Sequence, residues 1–186
     1  MLTRMMTRNV LIYLAMTAAA ILLSSCTKED KELTIADQEA AIDTYISQNF
    51  QDYKTVHRNG TNRIIIDSTV LALPDSLEYG DSLHFYYAGY IFTSSPSSLF
   101  STNNGTVAEE NGYSVTDPDF SIRKVLFSED CMISGLVNGL YGVREGEHCI
   151  LLFSAKYGFY DDYVYNIPKL SALAYEIWVD KVIKNR

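Results

Sequence analysis

The sequence predicts an α+β domain in which an antiparallel sheet wraps around one short helix, with a helical extension in front. Two long runs alternate as half-buried strands do. In Ser82–Phe92, Leu83, Phe85 and Tyr87 alternate with His84, Tyr86 and Ala88, and near the end Leu173, Tyr175, Ile177 and Val179 repeat the pattern. Between them Ile133, Leu136, Val137 and Leu140 fall at i, i+3, i+4 and i+7, the spacing of a short amphipathic helix. The order strand, long loop, strand, short helix, strand, loop, strand then gives one sheet closed on one helix.

The first residues are of a different kind. Arg4 and Arg8 are the only charges before Cys26, and an apolar run extends from Val10 to Leu23. A basic start followed by an apolar stretch is the pattern of a secretory signal. The run is shorter than the roughly 20 residues that span a bilayer comfortably. It ends at Leu23-Ser24-Ser25-Cys26, which resembles a lipobox, where cleavage leaves a lipid-modified cysteine. An ordinary signal peptide or an N-terminal anchor helix is the alternative. Several acyl chains on Cys26 would anchor stably, since each buried methylene adds about 0.8 kcal/mol. Thr27-Lys28-Glu29-Asp30-Lys31-Glu32 is charged and apolar-poor, as a flexible leash is. It also resembles the Lys-acidic-acidic surface-export signal of some bacterial lipoproteins; a plain solvated linker fits the same residues. The expected division is a signal at 1–25, a tether at 26–35, a helix-and-strand extension at 36–74 and the main domain at 75–186.

Composition fits a folded body, with 47% hydrophobic and 20% charged residues. Losing Arg4 and Arg8 with the signal takes the formal charge from -8 to -10. Such acidity argues against nucleic acid or anionic lipid as the main partner. The 14 tyrosines and 8 phenylalanines either line a groove or fill the core. Cys131 and Cys149 define one possible disulfide, which an exported compartment permits, or two buried thiols.

In the mature chain, Thr34 to Phe50 reads as a helix with Ala41, Ile42, Tyr45, Ile46 and Phe50 on one face, capped by Thr34 or Asp37. Asn59-Gly60 marks a turn before a strand at Arg63–Ile66. Ser68 to Leu73 reads as extended, closed by Pro74-Asp75, and Glu78–Asp81 as a turn. Thr93 to Asp119, a polar stretch broken by Phe100, reads mostly as an irregular loop, and Ile122 to Phe127 as strand. Gly135 and Gly139 each cost the short helix about 1 kcal/mol, which close packing would explain. Arg144–Glu147 makes a tight turn with Gly146 at positive φ. His148 to Phe153 is a strand, apolar at nearly every position and hence central. Tyr157 to Asn166 is an aromatic loop ending at Ile167-Pro168.

These residues resemble a family. Met132 to Leu140, then Val143–Glu147 and the strand to Phe153, look like the central helix and turn of FKBP-type peptidyl-prolyl isomerases. Ile167-Pro168 with Leu173–Ile177 looks like that family's closing loop and last strand. Gly80–Leu83 with Phe85–Gly89 looks like its early strand, and Phe100 its next aromatic position. The resemblance covers Leu77 to Ile183, and the N-terminal helix and strand resemble the leader of lipoprotein members.

The resemblance implies an FKBP-like α+β fold and a hollow for an X-Pro segment. Carried over by position, Tyr87, Phe100, Ile133 and Tyr175 would act on the prolyl bond, with Ile133 offering its backbone N–H. Met132, Leu136, Phe159 and Ile167 would complete the hollow, with Tyr157 as the alternative to Phe159 and Leu136 as the floor. Three positions depart from the family: Leu136 where tryptophan is frequent, Ser101 where aspartate is usual, and Arg123 where an aromatic stands, though Phe120 lies nearby. The implied partners are proline-containing or unfolded segments and, through Cys26, a membrane; no nucleic acid and no cofactor are implied. The implied location is the cell envelope, as an outer-membrane lipoprotein with surface exposure open.

Other chemistries find no motif. His57, His84 and His148 lack metal spacing, and no Gly-x-Ser-x-Gly, phosphate-loop or Cys-x-x-Cys pattern occurs. Asp161-Asp162 and Glu109-Glu110 read as solvated loop charges. Two readings follow: a proline isomerase that helps exported proteins fold, or a non-catalytic lipoprotein that holds a peptide or protein in the same hollow or on the loop Thr93–Asp119.

Overall fold

The computed structural model describes residues 28–67, 69–72, 74–114 and 120–185; Cys26 and the apolar run before it lie outside these residues. Helix α1 occupies 28–49. It begins before Thr34 and Asp37, so neither caps it, and the Thr34 hydroxyl donates to the Asp30 carbonyl at 2.8 Å. Residues 28–33, expected in the tether, are helical here. Lys28 and Glu32 pair one turn apart, and Lys31 bonds Asp161 at 2.5 Å. Charges at i,i+4 spacing support a helix as readily as a leash.

Strands β1 (Lys54–Arg58) and β2 (Thr61–Ile65) form a hairpin around Asn59-Gly60, both at positive φ, as a two-residue turn requires. The sequence hides β1 because it is a polar edge strand. Residues 69–72, expected extended, form a 3-10 turn. The Asp67 carboxylate holds it by accepting from the Thr69 N–H and hydroxyl at 2.9 and 2.7 Å.

Strand β3 (Ser82–Phe92) has the expected bounds. The stretch expected as an irregular loop holds β4 (Pro96–Thr102) and α2 (Gly105–Glu110), which Asn104 caps. Its serines obscure the strand, and residues 115–119 lie outside the description. Then follow β5 (Arg123–Leu126), α3 (Ser134–Leu140), β6 (His148–Phe153) and β7 (Ala172–Ile183). The strand order is β1-β2-β6-β7-β3-β4, all pairs antiparallel, and β5 pairs the first part of β3. The expected boundary at residue 74 is therefore crossed by one sheet, because β2 pairs with β6.

Both sheet faces are covered. Leu83, Phe85, Leu151, Phe153, Ile177 and Val179 pack with Leu136, Val137 and Leu140 of α3. Ile64, Leu152, Ala172 and Ala174 pack on the other face, against Ile42 and its neighbours on α1. This double cover explains why β6 is apolar at successive positions. The hairpin is tied to α3 by polar contacts. The Thr61 hydroxyl donates to the Gly135 carbonyl at 3.1 Å, and Arg63 Nη1 donates to the Gly139 and Tyr141 carbonyls, each at 3.2 Å. Arg63 Nε lies 3.4 Å from Glu147 Oε1, and both residues are buried. Cys131 and Cys149 are free thiols, so the possible disulfide does not form.

Candidate functional site

One end of β3 and β7, the start of α3 and the loop before β7 enclose a hollow of about 320 Å³. Phe85 and Tyr87 reach it from alternate positions of β3, Tyr175 from β7, Leu136 from α3 and Arg123 from β5. Phe159 and Val164–Ile167 close it from the loop.

Two adjacent residues of β4, Phe100 and Ser101, both line the hollow. A regular strand would send them to opposite faces. The pairing shifts here: Gly89 faces Ser101 while Tyr90 faces Leu99, leaving Phe100 as the extra residue of a bulge. Gly89 completes the arrangement, since a Cβ there would lie 2.7 Å from the Phe100 ring and 2.9 Å from Tyr175. The Phe100 and Tyr175 rings meet edge to face, centroids 5.6 Å apart, and Phe153 stacks on Tyr175 from the core side.

Polar contacts fix the frame. The Tyr87 and Ser101 hydroxyls are 3.0 Å apart. Buried Asn103 accepts from the Tyr87 N–H at 2.6 Å and donates to the Phe85 and Ser121 carbonyls. It thereby holds β3, the end of β4 and the approach to β5 together. On the loop side, Gln38 of α1 accepts from the Ala155 N–H at 2.9 Å and donates to the Leu170 carbonyl at 2.6 Å. Tyr160 and Tyr165 hold positive φ within that loop, a conformation such side chains rarely adopt. Burial drives the Tyr175 phenol well above the usual range, nearby Tyr87 adding to the rise and Arg123 opposing it. The phenol stays protonated and can donate.

Of the expected residues, Tyr87, Phe100, Leu136, Phe159, Ile167 and Tyr175 line the hollow. Met132 and Ile133 pack partly buried against the core instead. Ile133 is the N-cap of α3, so the helix does not use its N–H, and no acceptor meets that N–H among the described residues. Tyr157 lies against the β1–β2 turn, where a Cβ on Gly60 would meet its ring, so Phe159 takes the place left open between them. Phe120 lines an adjoining hollow of about 210 Å³, which shares Phe100 and Ser101 with the first. Phe85 was legible from its alternation with Tyr87; Val164, Tyr165 and Asn166 depend on the loop's course.

No protein-family model and no curated sequence matches the chain. Solved structures do. FkpA from Escherichia coli aligns with a TM-score of 0.56 at 16% identity, over 94% of this chain and 73% of that one. The fold is FKBP-like. The three FKBP domains of wheat FKBP73 align at 0.55 and 11% identity over 72% of this chain, which spans 50% of the wheat chain. The N-terminal domain of FKBP42 from Arabidopsis thaliana aligns at 0.52 and 12% identity, over 70% of this chain and 93% of that one. In this FKBP-like frame the hollow lies between sheet and helix, and among the described residues no cluster of His, Cys, Asp or Glu could hold a metal ion. No described helix is long and apolar enough to cross a membrane.

Proposed function

We propose that the hollow binds an X-Pro segment and accelerates its rotation, making this a peptidyl-prolyl cis–trans isomerase that assists exported proteins. The observation that carries the reading is the aromatic hollow itself, walled by Tyr87, Phe100, Phe159 and Tyr175 in an FKBP-like fold. Rotation about a peptide bond faces a barrier of about 18–20 kcal/mol, because resonance gives the amide double-bond character. No covalent step is needed. The planar amide is the more charge-separated form, so a water-poor aromatic wall favours the twisted one. Donors that hold the flanking carbonyls keep the rest of the segment still while the prolyl bond turns. The reading assigns that task to the Tyr175 hydroxyl, which lines the hollow, and to the Ile133 N–H, which has no acceptor among the described residues.

Lipid on Cys26 would hold the domain at the cell envelope, as an outer-membrane lipoprotein. The basic and apolar residues before Leu23-Ser24-Ser25-Cys26 support that part of the reading. Two observations favour a second reading, a non-catalytic peptide-binding lipoprotein. Arg123 brings a charge into the hollow, and Ser101 bonds Tyr87 where the resembling family has aspartate.

A protease-free isomerisation assay on short X-Pro peptides separates the two. Acceleration by the folded protein, lost in Tyr87→Asp with the fold retained, supports the enzyme. A folded sample that leaves the rate unchanged supports the binding module. Radiolabelled palmitate incorporation, abolished by Cys26→Ser, tests the anchor.

A further inference from the structure

Among the described residues that line the hollow, a single side chain is charged, Arg123. Its guanidinium carbon stands 6.0 Å from the ring centroids of both Phe85 and Tyr87. That is the outer limit of a cation–π contact, so the rings place the charge without satisfying it. Among the described residues Arg123 joins no ion pair. The other polar groups of the lining, Ser101, Asn166 and the tyrosines, are neutral. The Tyr175 hydroxyl also meets no hydrogen-bond partner among the described residues. Among the described residues the hollow thus offers a positive charge and a donor, and no carboxylate, although the chain as a whole carries -8.

We propose that Arg123 selects segments with an acidic side chain, Asp or Glu, next to the proline. This rests on the reading that the hollow takes an X-Pro segment, and it adds the chemical class of X. A carboxylate there would pair with the guanidinium at the edge of the aromatic wall, while an ammonium would meet a like charge. Arg123 is exposed on its outer side, so water screens the pairing and the discrimination is modest, roughly two- to fivefold.

The test uses the full chain in mild detergent and acetylated, amidated peptides that differ only in Glu, Gln or Lys before the proline. Blocked ends remove the terminal carboxylate as a competing source. The expected result is a kcat/KM for Glu-Pro roughly two- to fivefold above Lys-Pro, with Gln-Pro between. The Glu-to-Lys ratio narrows in salt and falls to about one in Arg123→Gln. Turnover of all three peptides at one rate, or a ratio that Arg123→Gln leaves intact, overturns the selectivity and leaves the isomerase reading standing. If no peptide is turned over, the isomerase reading fails, and calorimetry on the same peptides decides the selectivity. Tighter binding of Glu-Pro, lost in Arg123→Gln, supports it; equal or undetectable affinities overturn it.

Discussion

The Tyr87 hydroxyl lies 3.0 Å from the Ser101 hydroxyl, and both residues line the hollow that holds Arg123. A carboxylate at position 101 would sit in the same hollow as the guanidinium. Ser101→Asp is therefore expected to neutralise Arg123 and to remove the preference for acidic over basic peptides. Peptide competition across the Glu, Gln and Lys series checks it. A preference that survives the substitution would place Arg123 beyond reach of residue 101.

Gly135 lets α3 lie against β6, since a Cβ there would come within 2.5 Å of the Phe153 ring. That ring is held by its stack on Tyr175 and has little freedom to move aside. Gly135→Ala is expected to destabilise the fold by about 1–3 kcal/mol, the range for overpacking a filled core. The urea midpoint reads it, and an unchanged midpoint would mean that the helix shifts freely.

Burial raises the Glu147 carboxyl above the ordinary carboxylate range, with the Arg63 guanidinium working against it. The folded chain then holds this proton more tightly than the unfolded chain does. The stability it contributes is complete below the unfolded value, about 4.3. It is lost as pH rises through the folded value. The stability of the wild type relative to Glu147→Gln is expected to fall as pH increases from about 4 to 7. Denaturant titrations across that range measure the difference; a flat or rising difference contradicts the assignment.

Arg63 is buried against Glu147 and also binds two carbonyls at the end of α3. Arg63→Met strands the carboxylate and leaves the Gly139 and Tyr141 carbonyls without this donor. A loss of about 3–5 kcal/mol is expected, as for other buried pairs broken from one side. Thermal unfolding at neutral pH checks it, and a shift of less than a degree or two would mean that Glu147 already carries its proton there.

Cys149 is fully buried and burial pushes its thiol far up, whereas Cys131 is half-buried. In the chain from Thr27 onward, a thiol reagent is expected to modify one cysteine in the folded state and the second only on unfolding. Reductant is expected to leave the melting temperature unchanged. A reductant-sensitive melt would mean that the two thiols join.

Period and turn chemistry were enough to read β3, β7 and α3, and an unbroken apolar run to read β6, which is covered on both faces. They failed where stability comes from elsewhere. β1 is polar except at Val56 and exists through pairing with β2. β4 is masked by serines, and its bulge breaks the alternation that would have betrayed it. Residues 28–33 look like a leash until Lys31 meets Asp161, 130 positions away. Of the hollow's walls, Tyr87, Leu136 and Tyr175 on strands and helix were expected, as were Phe159 and Ile167 of the loop by resemblance. Val164–Asn166 were not, because positive φ at Tyr160 and Tyr165 sets the loop's path and no period encodes it.

The outermost strands of the sheet carry a consequence for how an unfolded chain would meet this molecule. Strand β1 carries exposed Lys54 and His57, and β4 starts at Pro96, which has no N–H to give. Charge and proline at such margins discourage a foreign strand from joining the backbone ladder. An extended polypeptide arriving at these margins finds little open ladder to join, so templated, amyloid-like growth is discouraged there.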